Sequence, residues 1–343
     1  MVYNVSLQYY SVKGISVMRE IGGYIEFEHY RGQMLHEQKN SQANIFKLNS
    51  GISCLAYLIK ARRIHSIVLP YFICSSVTNL AKTYGVTIRQ YKINSFFCPI
   101  DIELGEQEYL YVVNYYGQLT EKQLQNIVNY YHRVIIDNAH AYFDEPLPNV
   151  DTLYTCRKFF GVPDGAILYT DIELGEEFPR DESHEHMKFL LGRFERSASE
   201  YYADYEANNR RFASEGIKHM SLLTENLLHG VDYSFVKMAR TENYRYLYDR
   251  LREINELTLR EVEGAFAYPL LVRGGAALKK VLIAKKLFIP TLWPNVLGEC
   301  TPNSLEYRFA NDILPIPVDQ RYTVEEMEYI CNIILSLVSS FII

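Results

Sequence analysis

The chain has 343 residues, 48% of them apolar and 22% charged, with a net charge of -6 at neutral pH. That length supports one large domain and a smaller one around a sizeable core, and the composition is that of an ordinary soluble globular protein. The acidic balance leaves no basic footprint for nucleic acid, and cysteines scattered at 54, 74, 98, 156, 300 and 331 make neither a disulfide framework nor a zinc ligand set.

Residues 1–44 are mixed in pattern and read as a segment that packs on other parts of the chain. No apolar stretch of signal-peptide type opens it, so the expected compartment is the cytoplasm. From residue 45 the pattern alternates between strand and helix. A turn over 49–53 leads into the helix CLAYLIKARR, and a strand over 67–69 precedes the helix SSVTNLAKTYG. Strands over 86–91 and 109–113 precede the helix EKQLQNIVNYY, and strands over 134–136 and 166–169 follow. Such alternation predicts a mostly parallel α/β sheet with helices on both faces. The pattern then changes: 182–228 is polar and largely helical, and 233–255 reads as another helix. The tail predicts a strand over 267–272, a helix over 276–286, strands over 288–292 and 313–316, and a helix over 324–337. The expected division is 1–230, a large domain with its N-terminal segment, and 231–343, a smaller α+β domain. The closing run IILSLVSSFII is apolar but shorter than the ~20 residues a bilayer crossing needs, so no membrane partner is expected.

The chain is organised around residues 134–170, VIIDNAHAYFDEPLPNVDTLYTCRKFFGVPDGAILYT. Its first residues run into Asp137 and read as a buried parallel strand, because both faces are apolar. Asp137 then stands at the strand's carboxyl end, where open α/β sheets place their ligands. Lys158 follows with apolar and small residues on its C-terminal side, an environment that lowers an amine's pKa and makes it nucleophilic. A carboxylate and a lysine so placed suit pyridoxal 5'-phosphate: the acid keeps the ring nitrogen protonated and the amine forms a Schiff base. The plainer readings are a solvated surface lysine and an aspartate that caps the next turn.

His140 falls where it could touch that cofactor's ring or phenolic oxygen, or serve as a satisfied structural histidine. Ser50, Gly51, Ile52 and Ser53 open a helix after a strand, and bare amides with the helix dipole favour a phosphate there. An ordinary N-cap looks the same. Thr155 could add a hydroxyl to that phosphate or bond its own backbone. His184 and His186 sit in an acidic, solvated stretch without further ligands at useful spacing, so no metal is expected.

Taken together, these stretches resemble the DegT-type family of nucleotide-sugar aminotransferases, a branch of the fold type I pyridoxal-phosphate enzymes. LNSGISCL is similar to the family's phosphate turn, VVNYYGQL to its VHLYGQ strand end and IIDNAHAYF to its D-x-A-Q segment. TCRKFFGVPDGAIL is similar to its lysine loop, and LPIPVDQRYTVEEMEYI to its C-terminal ending. The motifs occur in the family's order and cover most of the chain, the middle helical part excepted. The resemblance implies a cofactor carried on Lys158, Asp137 facing the pyridine nitrogen, and His140 at the family's glutamine beside the phenolic oxygen. It puts Ser50, Gly51, Ile52 and Ser53 on the phosphate turn and Asn114 at the family's histidine beside the ring. It also implies a homodimer with active sites at the subunit interface, where Asn208, in a segment resembling N-Y-R-M-S, reaches the phosphate of the other subunit.

The implied reaction moves an amino group from an amino acid, glutamate foremost, to a nucleotide-linked keto-sugar for polysaccharide or glycan synthesis. The alternatives are another reaction of the same cofactor, such as an elimination or a decarboxylation, and a non-catalytic binding protein on this scaffold. Two further positions depart from the family. Ile52 replaces the threonine of the SGT turn, and Cys74 replaces the aromatic that lies against the cofactor, with Tyr71 or Phe72 as substitutes.

Overall fold

The computed structural model describes residues 21–38 and 44–341. Eight strands build one sheet: β1 (Asn44–Leu48), β2 (Ser66–Pro70), β3 (Thr87–Ile93), β4 (Pro99–Ile100), β5 (Tyr109–Val113), β6 (Val134–Asp137), β7 (Asp151–Thr155) and β8 (Ala166–Thr170). Their spatial order is β1-β8-β7-β6-β5-β2-β3-β4. The block β3-β2-β5-β6-β7 is parallel, while β8, β1 and β4 join antiparallel at the rims. This is the mostly parallel α/β sheet expected from the sequence. Leu69, Val112 and Ile135 at its centre are wholly buried, as strands covered on both faces require. The sequence reading missed β7, which enters the lysine loop.

Helices α1 (Gly51–Ala61), α2 (Ser75–Thr83) and α3 (Glu121–Tyr131) alternate with these strands. Ser50 caps α1, its Oγ accepting from the Ser53 amide at 3.1 Å, and Thr120 caps α3 in a capping box with Gln123. α1 therefore starts at Gly51 rather than Cys54, and the predicted turn is already helix at 51–53. Residues 182–228 break into shorter helices, α4 (Lys188–Glu195), α5 (Tyr202–Arg211) and α6 (Leu222–His229).

The C-terminal part is built on α7 (Tyr233–Leu251), which packs on β9 (Ala267–Leu271) and on the last helix, α11 (Val324–Phe341). β9 pairs antiparallel with β10 (Ile313–Pro317), and α8 (Gly275–Ala284), α9 (Val296–Glu299) and α10 (Leu305–Asp312) lie between them in sequence. The strand expected at 288–292 does not form. Pro290 in its middle cannot donate to a ladder, and Ile289 is instead buried in the core from an irregular connection.

Residues 28–30 are tied to α6: the Tyr30 amide donates to Asn226 Oδ1 at 2.9 Å, and Asn226 Nδ2 to the Glu28 carbonyl at 2.7 Å. The remainder of the expected N-terminal packing segment, 1–20 and 39–43, lies outside the described residues, as do the last two residues of the apolar tail. No described helix is long and apolar enough to cross a membrane.

Candidate active site

Two parallel neighbours set the site. β6 ends at Asp137, which pairs with Leu153 of β7, and β7 runs on into the short 3-10 turn Cys156–Lys158. Because both strands point the same way, their carboxyl ends deliver Asp137 and Lys158 to one side of the sheet. Lys158 is exposed, yet protein surrounds its amine, the combination a recess gives. Burial pushes its pKa below that of an ordinary lysine, against the pull of Asp137 and Cys74. The same burial lifts the Asp137 carboxyl above its usual range, outweighing Lys158, the Ala139 amide (2.8 Å to Oδ1) and the Tyr111 hydroxyl (2.9 Å to Oδ2). Each group is therefore nearer its neutral form than in water.

His140 is buried against two flat neighbours, the rings of Phe266 (centroids 4.2 Å apart, 16° between planes) and Trp293 (5.4 Å, 20°). Its Nδ1 accepts from the Tyr116 amide at 3.4 Å, while its Nε2 is buried without a hydrogen-bond partner. Burial first, and the charge of Lys158 second, hold its pKa well below the usual value. Phe266 also faces the lysine, with Nζ 5.5 Å from its ring centre. A buried nitrogen with no partner is uncommon in a folded chain.

At the start of α1 the hydroxyls of Ser50 and Ser53 serve the cap and Asn49: Ser53 Oγ donates to Asn49 Oδ1 at 2.6 Å. The first-turn amides of Gly51 and Ile52 have no helical carbonyl to meet them. A Cβ on Gly51 would stand 2.9 Å from Thr155 Cγ2, so a larger residue would crowd the turn where it meets the lysine loop. Gly165, beyond that loop, donates its amide to the Asn49 carbonyl at 2.6 Å and ties the two together. Thr155 Oγ1 makes only a long contact, 3.5 Å, to the Ala139 carbonyl.

Asn114 and Asn208 are both buried and bonded within the chain. Asn114 is wholly buried; its Nδ2 donates to Asn138 Oδ1 (3.2 Å) and Asp144 Oδ2 (3.1 Å), and its Oδ1 accepts from the Leu119 amide (3.0 Å). Asn208 donates to the Pro163 carbonyl at 2.8 Å and accepts from Arg211 Nε at 2.9 Å. Both carboxamides have partners inside the chain, as burial demands. Phe72 is likewise core, packed on Tyr115 (5.3 Å) and Trp293 (4.5 Å), so it does not take the place of the aromatic that Cys74 lacks.

The sequence reading missed Tyr111, Phe266 and Trp293. Tyr111 did carry a signal: the period of two in a strand puts residues 111 and 113 on the face that carries 135 and 137. Phe266 and Trp293 arrive from the C-terminal part, and nothing in their local sequence marks them. Two surface hollows lie along α10 and among Phe143, Lys237, Arg260 and Glu263. Lys158 and Asp137 line neither, so the chemistry of the side chains, not the depth of a hollow, selects this site. Among the described residues no group of His, Cys, Asp and Glu is arranged to hold a metal.

No protein-family model and no curated protein matches the chain. Solved structures do match, over most of its length. A DegT DnrJ EryC1 StrS aminotransferase from Brucella abortus superposes with a TM-score of 0.61 at 13% identity, covering 88% of each chain. NtdA from Bacillus subtilis, solved with bound cofactor PMP, gives 0.61 at 15% identity over 86% of this chain and 73% of that one. Helicobacter pylori PseC, an aminotransferase involved in the biosynthesis of pseudoaminic acid, gives 0.59 at 14% over 87% of each. At these identities the likeness is one of architecture: the chain has the fold of the fold type I aminotransferases.

Proposed function

We propose that this chain is a pyridoxal-phosphate-dependent aminotransferase. It passes an amino group from an amino acid, glutamate first among them, to a nucleotide-linked keto-sugar in polysaccharide or glycan assembly, and works as a homodimer. One observation carries the reading: Lys158 and Asp137 stand at the carboxyl ends of neighbouring parallel strands, in a fold shared with sugar aminotransferases. The residues fit the cofactor. Open Nε2 of His140 suits its phenolic oxygen, the Gly51 and Ile52 amides with Thr155 suit its phosphate, and Asp137 suits its pyridinium N–H. Once bound, the cofactor supplies an electron sink for the charge left on the substrate's α carbon.

The part of each residue follows from its surroundings. Lys158, whose ammonium is disfavoured by burial, has a pKa below that of a surface lysine. It holds the cofactor covalently through Nζ and, when released, moves a proton at Nζ from and to the substrate. Asp137 holds the ring-nitrogen proton, steadied by the Tyr111 hydroxyl and the Ala139 amide. Neutral His140 donates from Nε2 without bringing a second positive charge beside Lys158.

Borohydride treatment of the protein mixed with pyridoxal phosphate should leave a phosphopyridoxyl group on Lys158, read by peptide mass, and Lys158→Ala should abolish it. Wild-type protein with glutamate should yield 2-oxoglutarate and bound pyridoxamine phosphate. Cofactor binding without that exchange overturns the aminotransferase reading and favours an elimination or a decarboxylation. A panel of nucleotide keto-sugars, with product masses, then identifies the acceptor, and sedimentation gives the oligomeric state.

A further inference from the structure

Arg240, on α7, is 1% exposed and heads the large side chains that are fully buried among the described residues. A buried guanidinium is costly unless its donors are met. Here Nη2 donates to the Phe159 carbonyl at 3.0 Å, Nη1 to the Ala265 carbonyl at 2.9 Å and Nε to Gln320 Oε1 at 2.8 Å, with the Phe159 ring 4.6 Å beneath. Gln320 repeats the grip, its Nε2 donating to the same Phe159 carbonyl at 2.8 Å. Phe159 directly follows Lys158. Ala265 directly precedes Phe266, the ring that faces Nζ. One buried cation thus joins stretches far apart in sequence, and two of its bonds end next to the amine and next to the ring that faces it.

We propose that Arg240 is the positioning residue for Lys158: its planar fork fixes the Lys158–Phe159 backbone against Ala265–Phe266 and so keeps Nζ inside the recess with Asp137. The inference rests on Lys158 being the cofactor-bearing amine. An apolar side chain of similar volume would serve stability as well, but it has no directional donors for carbonyls on both sides of the recess. The groups that act on Lys158 are Asp137 at the end of β6, Cys74 before α2 and Arg157 in its own turn, with His140 beside Phe266. Arg240→Lys keeps the positive charge and loses the fork, so it changes geometry while leaving those groups in place.

The test uses the cofactor-free full chain. Acetylation of every lysine by limiting acetic anhydride, followed by peptide mass from about pH 6 to about pH 11, gives Lys158 its own titration with the other lysines as controls. In Arg240→Lys the Lys158 midpoint should rise by about one unit, a roughly tenfold slower labelling near neutral pH, with the control lysines unmoved. Gln320→Leu should move it the same way by less. A folded Arg240→Lys with the wild-type midpoint overturns the proposal. If Arg240→Lys does not fold, Gln320→Leu decides by the same readout, and a wild-type midpoint there overturns it. Wild-type protein that takes no pyridoxal phosphate onto Lys158 defeats the functional reading instead, and the labelling shift tells the two failures apart.

Discussion

Tyr111→Phe removes one oxygen, the donor to Asp137 Oδ2 at 2.9 Å. Tyr111 is 2% exposed, so water cannot take over the bond. A hydrogen bond to a charged group is worth ~1.5–3 kcal/mol, or about one to two units of pKa at ~1.36 kcal/mol per unit, on a carboxyl that burial already holds above its usual range. A carboxyl raised in the folded state makes stability fall as pH climbs from the unfolded carboxylate's pKa through the folded one. In the mutant that fall is larger and reaches to higher pH. The stability gap between wild type and mutant should be smallest near about pH 4 and widen by ~1.5–3 kcal/mol by about pH 8. Denaturant titrations of the cofactor-free protein across that range measure it. A gap that stays level with pH would refute the claim that this hydroxyl stabilises the carboxylate.

Gly165→Ala should cost more than ~1 kcal/mol in thermal melts, because φ is +116° and the new Cβ would stand 3.0 Å from Thr224 Cγ2 and 3.2 Å from Cys156 Cβ. Asp164→Ala should cost about 3 kcal/mol in denaturant titrations. It strands Ser183 Oγ (2.9 Å), Ser221 Oγ (2.7 Å) and the Ser221 amide (2.8 Å), donors buried beside the lysine loop. Ser50→Ala removes the cap of α1 and should cost ~1 kcal/mol while weakening uptake of pyridoxal phosphate, followed by fluorescence; unchanged uptake would show that the phosphate needs no hydroxyl from Ser50.

Much of this was legible because it is local. Apolar runs ending in Asp137, the helix-opening Ser50-Gly51 pair and the lysine loop each declare themselves within a few residues. β7 escaped because Asp151 and Thr152 open it with polar side chains, yet both are buried: Asp151 by a two-bond pairing with Arg62 (2.9 and 2.8 Å), Thr152 by its own bond to the Val150 carbonyl at 3.1 Å. The run at 288–292 has strand-like composition but lacks the donor that Pro290 removes. Asn114 and Asn208 sit at positions a motif can name, and their side chains also meet buried carbonyl, carboxamide and carboxylate partners that a motif does not contain. Phe266 and Trp293 depend on how the C-terminal part docks beside His140, a long-range outcome beyond any local pattern.

The rims of the sheet have a colloidal consequence. At one, β4 is two residues long and begins with Pro99, which has no amide to lend. At the other, the carbonyl of Lys47 already receives Met220 at 3.0 Å, and the amide of Asn49 is given to Lys218 at 3.0 Å. A neighbouring molecule therefore meets blunted borders instead of a growth template, and crowded solutions of the folded protein should resist fibril formation through strand recruitment.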